Sequence, residues 1–179
     1  MSPTWDAAET VEMPRITPTG WLRVALRAPI LGFVTFGGLA LLLVLRLIER
    51  PVFGQARPVT PWITQAVCRT ALVLLGVRLT TSGARLHGQG AVVANHSSWL
   101  DIFVLNAADR IYFVSKDEVA GWPGIGWLAR ATGTMFIRRD PREARRQRDQ
   151  MTDRLRAGHR LLFFPEGTST DGLRVQPVK

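Results

Sequence analysis

The segment Asn95-His96-Ser97-Ser98-Trp99-Leu100-Asp101 holds a histidine and an aspartate five positions apart. On one continuous helix that spacing points the two side chains about 140° away from each other. They meet only if His96 lies before the first turn of a helix and Asp101 reaches back from within it. The flanks favour that arrangement. An apolar run at 91–94 reads as a buried strand, and a second at 102–105 reads as the body of a helix. Ser98 is a good N-cap, and Asp101 three residues later completes a capping-box pattern. A carboxylate placed this way accepts from one ring nitrogen, fixes the tautomer and leaves the other nitrogen as a base. An isolated His and Asp at this spacing are more often a helix cap beside an ordinary turn histidine, so the chemistry has to be argued from the rest of the chain.

Two further clusters sit at the ends of predicted strands. Residues 134–137 read as a strand that runs into Arg138-Arg139, and 160–164 read as a strand followed by the turn Pro165-Glu166-Gly167-Thr168. In an open α/β sheet, sites form beyond the carboxyl ends of the strands. A base, a pair of guanidiniums and a glycine turn beside a carboxylate sharing one cleft would suit a substrate with a hydroxyl to deprotonate and a phosphate to hold.

The elements that must position these groups follow from 79 onward. Short strands are expected at 78–81 and 84–86, then the Gly88-Gln89-Gly90 turn, a helix to about Ala108, and a strand at 111–115. The Gly- and Trp-rich stretch 121–131 reads as a loop plus a short helix. Asp140-Pro141-Arg142-Glu143 has the form of a helix start, with an Asp N-cap and Pro at the first position; the helix should run to about Ala157 and stop at Gly158. Its face is densely charged, with Ala144, Met151 and Leu155 as a narrow apolar stripe. Trp99, Trp122 and Trp127 suit packing or an interface better than stacking on a base. The fold class is α/β, a central mostly parallel or mixed sheet flanked by helices.

Before this lies a different kind of chain. Of 179 residues, 46% are apolar, and the net charge of +9 comes almost wholly from arginine, with Lys116 and Lys179 the two lysines. Such a surface implies a polyanionic neighbour: anionic lipid headgroups, nucleic acid or phosphorylated substrates. Residues 1–20 read as a loose tail. No charge occurs from 28 to 45, a run of 18 residues with arginines at both flanks. As a helix it is about 27 Å long, borderline for spanning a bilayer. It starts too deep to be a secretory signal. Pro58 and Pro61 break the chain before a second segment, 62–79, interrupted by Arg69 and Arg78; it is expected to lie in the membrane interface or dip into one leaflet. The organisation is therefore a tail at 1–20, a membrane-associated helical region at 21–79 and an α/β domain at 80–179. The single Cys68 allows no internal disulfide. His87, His96 and His159 lack metal-ligand spacing with Cys or carboxylates, and no Gly-rich nucleotide loop follows a strand.

Three blocks in order carry a specific resemblance: Asn95-His96 to Asp101 as Asn-His-x4-Asp, Gly133 to Arg139 as Gly-x-x-Phe-Ile-x-Arg, and Phe164-Pro165-Glu166-Gly167-Thr168. The chain resembles the glycerolipid acyltransferases typified by 1-acyl-sn-glycerol-3-phosphate acyltransferase, over roughly residue 22 to the carboxyl terminus. The resemblance implies His96 as general base and Asp101 as its support. It implies Arg139, with Arg138 assisting, as the grip on an acceptor phosphate, and Glu166, Gly167 and Thr168 as the walls of the acceptor pocket. It implies an acyl-CoA or acyl-carrier-protein donor, no bound cofactor, no metal and no nucleic acid. It further implies a lyso-phospholipid acceptor giving phosphatidic acid, and a place on membrane lipids at the cytoplasmic face. The backbone amides of Ser97 and Ser98 are the candidates for holding the oxyanion. Ser169 stands where many members have arginine, and a further block of the family would follow Lys179. Another lyso-lipid acceptor, such as lyso-ornithine lipid, is the alternative within the class. A non-catalytic, membrane-tethered basic protein binding lipid or nucleic acid, or an inactive fragment, is the alternative outside it.

Overall fold

The computed structural model describes residues 15–84, 86–167 and 169–170. Nine regular elements follow in order: α1 (Pro18–Phe53), α2 (Thr60–Leu75), β1 (Gly90–Val93), α3 (Asp101–Ala108), β2 (Tyr112–Lys116), α4 (Ile125–Thr132), β3 (Met135–Ile137), α5 (Ala144–Arg156) and β4 (Arg160–Phe163). A 3-10 turn, Asp117–Gly121, joins β2 to α4.

The uncharged run lies inside a much longer helix. Thr17 caps α1, its Oγ1 accepting from Gly20 N at 3.2 Å, and Pro18 occupies the first turn, where its missing N–H costs nothing. With 36 residues, α1 is about 54 Å long. It is long and apolar enough to cross a membrane, and only 6% of its most apolar 18-residue window is buried. Phe33 is 80% exposed. α2 packs along it through Gly38, where an added Cβ would lie 2.3 Å from Val67 Cγ2, so the seam depends on the absence of a side chain there. α2 also lies against α3: Cys68, Leu72 and Ala107 form one buried cluster, padded by Val77, Leu79 and Phe103. Arg69 Nε donates to the Ala107 carbonyl at 3.0 Å, so the one charge inside this segment is spent on a protein contact.

The sheet is four-stranded and wholly parallel, in the order β1-β4-β2-β3. Gly90 pairs with Arg160 and Val93 with Phe163, while Val114 pairs with Met135. The two faces of β2 and β4 are covered, as a parallel sheet requires, whereas the edge strand β1 is not buried on both sides as its apolar run suggested: Val93 is 69% exposed. Tyr112, Val114, Met135 and Leu161 form one core with Met151 and Leu155 of α5 against it, while Ala144, the third residue of the expected apolar stripe, is exposed. Ile111, Phe113 and Leu162 form the other, with Val92, Leu105 and Phe164.

Two local expectations differ. Residues 78–81 and 86 are not strands; Val77 and Leu79 turn inward onto the α2–α3 cluster instead of entering a ladder. Residues 141–143 form a turn, so α5 begins at Ala144; Asp140 Oδ1 accepts from Arg142 N at 2.9 Å and caps that turn instead of the helix.

Candidate active site

Because the strands are parallel, their carboxyl ends meet one edge of the sheet. That edge carries Asn95-His96 after β1, Pro165-Glu166-Gly167 after β4, and Arg138-Arg139 after β3. β1 and β4 are neighbours, so His96 and the Glu166 turn are adjacent. β3 is two strands further, about 10 Å from β4 at the backbone.

The histidine and aspartate meet. His96 Nδ1 is 2.9 Å from Asp101 Oδ2, and the two side chains are 22% and 21% exposed, so the ring is held but open to solvent. The same Oδ2 accepts from Ser97 N at 2.7 Å and Ser98 N at 3.0 Å, while Ser98 Oγ accepts from Leu100 N at 3.1 Å. These reciprocal bonds have the form of a capping box, although the regular helix begins at Asp101. They also correct one expectation. The Ser97 and Ser98 amides are committed to the Asp101 carboxylate and are not free to hold an oxyanion.

A carboxylate fixed by two backbone amides fixes the ring in turn. With the Nδ1 hydrogen on Asp101, Nε2 is left as the basic nitrogen. Two further contacts hold the histidine, and sequence reading did not find either. The ring stacks on Phe164, with centroids 4.1 Å apart and planes at 19°. Thr170 N donates to the His96 carbonyl at 2.7 Å, across 74 residues. The only sequence signal for the first was the aromatic residue leading the third block; the second had none.

Glu166 is 2% exposed, and its Oε2 has no hydrogen-bond partner among the described residues. A buried carboxylate oxygen left unpaired is costly unless a ligand supplies the donor. Gly167 turns the chain at φ 68°, in the left-handed region, with its N–H on the Phe164 carbonyl at 3.1 Å. Thr168 lies outside the described residues. The arginines divide. Arg138 Nε donates to Asp117 Oδ2 at 2.6 Å in an exposed ion pair, while Arg139 is exposed at the same edge with no salt bridge among the described residues. The edge thus joins His96 and Asp101 directly, stacks His96 on Phe164 two residues before Glu166, and leaves the guanidiniums at its far side. Such an edge can deprotonate a hydroxyl and attract an anion.

The family profile described as Acyltransferase matches residues 77–179. The chain is 58% identical, over 99% of its length, to a lyso-ornithine lipid O-acyltransferase of Rhodobacter capsulatus, of which it covers 64%. It is 39% identical over 84% of its length to the Pseudomonas aeruginosa protein of the same name, covering 58% of that protein. To a 1-acyl-sn-glycerol-3-phosphate acyltransferase of Neisseria gonorrhoeae it is 35% identical over 64% of its length, covering 46% of that protein. The chain therefore spans less than two thirds of these relatives. The crystal structure of the 1-acyl-sn-glycerophosphate acyltransferase PlsC from Thermotoga maritima shares the fold, with a TM-score of 0.61 over 88% of this chain and 64% of that one, at 22% identity. With the profile matched over more than half of its length, the chain belongs to the Acyltransferase family.

Proposed function

We propose that the protein transfers an acyl group from a thioester donor, acyl-CoA or acyl-carrier protein, to the free hydroxyl of a lyso-ornithine lipid. The observation that carries acyl transfer is the Nδ1–Oδ2 pair of His96 and Asp101 at an open sheet edge. Nε2 takes the hydroxyl proton, the oxygen attacks the thioester carbonyl, and the thiol leaves with a proton returned through the same nitrogen. Asp101 orients the ring and supports its charge. No acyl-enzyme is required.

The acceptor is favoured by the names of the relatives matched at 58% and 39% identity. An ornithine headgroup attached through one amine keeps a carboxylate and a second amine. Arg139 suits the carboxylate by bidentate hydrogen bonding. The unpaired Oε2 of Glu166 suits an N–H or O–H donor of the acceptor, with Gly167 letting the backbone approach. Thr168 would complete that wall. The second reading is 1-acyl-sn-glycerol-3-phosphate as acceptor, giving phosphatidic acid. It is favoured by the guanidinium pair, which would hold its phosphate, and by the Neisseria relative. Both readings put the enzyme on a membrane, with α1 as the attachment and the cytoplasmic face as the working side.

The test is turnover of purified full-length enzyme with labelled donor and each lyso-lipid in turn. Higher kcat/KM for lyso-ornithine lipid supports the first reading, and the reverse supports the second. Lipid or nucleic-acid binding that collapses with salt, with no turnover of either acceptor and indifference to His96→Ala, would instead identify a non-catalytic basic tether.

A further inference from the structure

The opposite edge of the sheet gathers more arginines than the His96 edge and fewer carboxylates to balance them. There the amino-terminal ends of β2 and β4 approach the end of α1, and a cavity of about 800 Å³ opens between α1, α4 and α5. Arg46, Arg50, Arg57, Arg130 and Arg154 line it. Their compensation is incomplete. Glu49, 5% exposed, is the carboxylate at hand, and it is already used: Oε1 accepts from Val59 N and Thr60 N at 2.8 and 3.1 Å, and Oε2 from Thr60 Oγ1 at 2.6 Å and Arg46 at 3.1 Å. Arg57 gives Nη1 to the Ala131 carbonyl at 2.8 Å, while its Nε is buried with no partner among the described residues. Arg154 faces His159 Nδ1 at 3.5 Å, a contact that adds no negative charge. Arg50 and Arg130 make no salt bridge among the described residues.

Five guanidiniums against one saturated carboxylate repel one another wherever water is scarce. Burial and the nearby Arg46 charge push the Arg57 guanidinium down to about 10, which marks the strain on this group. An oxyanion among these guanidiniums offsets their mutual repulsion. The remaining wall is apolar: Leu39 and Leu43 from α1, and Trp127, 69% exposed. Arg46 and Arg50 follow directly on the uncharged run 28–45, at the depth where a hydrocarbon layer gives way to headgroups.

We propose that this cavity is a second ligand site that takes a phosphate oxyanion, carried on the headgroup of an anionic membrane lipid whose chain lies along Leu39 and Leu43. It is separate from acyl transfer: Arg57 stands over the ring of Tyr112, the first residue of β2, and Arg154 beside His159, the residue before β4, with the length of the strands between them and His96. Its ligand is retained rather than consumed.

Calorimetric titration of the full chain in uncharged detergent tests this, using short-chain phosphatidylglycerol, short-chain phosphatidylcholine and inorganic phosphate as ligands. Phosphatidylglycerol should bind and phosphatidylcholine should not. Arg57→Gln with Arg154→Gln should weaken binding by about tenfold or more. Arg50→Gln with Arg130→Gln changes exposed side chains, leaves the fold unthreatened and should weaken it in the same direction. Arg145→Gln with Arg148→Gln removes the same charge from the exposed face of α5 and should change nothing. Tighter binding of phosphatidylglycerol than of inorganic phosphate identifies the lipid as the source; equal binding of both, lost in the cavity variants, identifies free phosphate. Equal weakening in the α5 control, or unchanged binding in both cavity variants, overturns the proposal.

Discussion

Two histidines stand at opposite edges of one sheet and meet opposite surroundings. His96, after β1, is part-exposed, faces a carboxylate and lies on Phe164. His159, before β4, is 3% exposed, stacks on Tyr112 with centroids 4.0 Å apart, and faces the guanidinium of Arg154. Burial first, then the charges of Arg154, Arg57 and Arg46, push the His159 imidazole down to about 4. A stacked imidazole in both cases is suited to different work by its burial and its neighbours. The carboxylate at one edge orients its ring through Nδ1, while burial and the arginines at the other disfavour a charged ring.

The largest expected effect removes one side of this contrast. His96→Ala should lower kcat by roughly 10³-fold, within the usual span for a general base, with the melting temperature nearly unchanged because the ring is part-exposed. Retention of most of the turnover would end the general-base assignment. Asp101→Asn should cost less, roughly 10²-fold in kcat. The amide can still meet the Ser97 or Ser98 N–H with its oxygen, but it no longer stabilises the charged ring.

His159 is the converse test, read as stability instead of turnover. Its pKa in the folded chain lies below the ordinary value of 6.5, so the unfolded state takes up the proton first as pH falls. Stability should be unaffected above about pH 6.5, decline between 6.5 and 4, and level off below 4, with a total of no more than about 3 kcal/mol. Chemical denaturation across that range, compared with His159→Phe, isolates the contribution. The variant should lose this acid-side slope; an unchanged slope would mean that other groups carry it.

Much of this was legible beforehand, and the illegible part has a physical pattern. The strand–turn–helix at His96, the strand end at 137 and, to within one residue, the strand end at 163 follow from local periodicity and capping, which neighbouring residues determine. The paired Nδ1 and Oδ2 atoms follow from the same turn. What escaped was non-local. Thr170 on the His96 carbonyl spans 74 residues, and the arginine cavity collects side chains from three helices and a loop. The 78–81 segment looked like a strand because β-propensity ignores what else needs its apolar residues; Leu79 serves the α2–α3 cluster. The Ser97 and Ser98 amides looked available because spacing does not count what a carboxylate already accepts. Arginine density on α5 was visible, but not that Arg154 would line the cavity.

The seam between α1 and α2 offers a smaller perturbation that reaches the arginine edge first. Gly38 lies one residue before Leu39, which lines that cavity. Gly38→Ala places a Cβ on the stiff, β-branched Val67 and should cost about 1–3 kcal/mol. The double variant with Val67→Ala should recover part of it, since the clash is with the valine methyl. Denaturation midpoints measure the loss, and His96-dependent turnover under native conditions should be less affected than anion binding.

The smallest effect is expected within the His96 edge itself, where adjacent arginines differ. Arg138 is 63% exposed and its Nε already donates to Asp117, whereas Arg139 has no salt bridge among the described residues. An exposed ion pair loses most of its Coulomb energy to solvent and screening. Arg138→Ala and Asp117→Ala should therefore leave the melting temperature unchanged within error and raise KM only slightly. Arg139→Ala should raise KM for the lyso-lipid by clearly more, with a smaller change in kcat, because a guanidinium that grips the acceptor acts in the ground state as well as the transition state. Equal KM effects from the two arginines would mean that Asp117 gives up its partner when the acceptor binds, and that both guanidiniums, not one, form the far wall of the site.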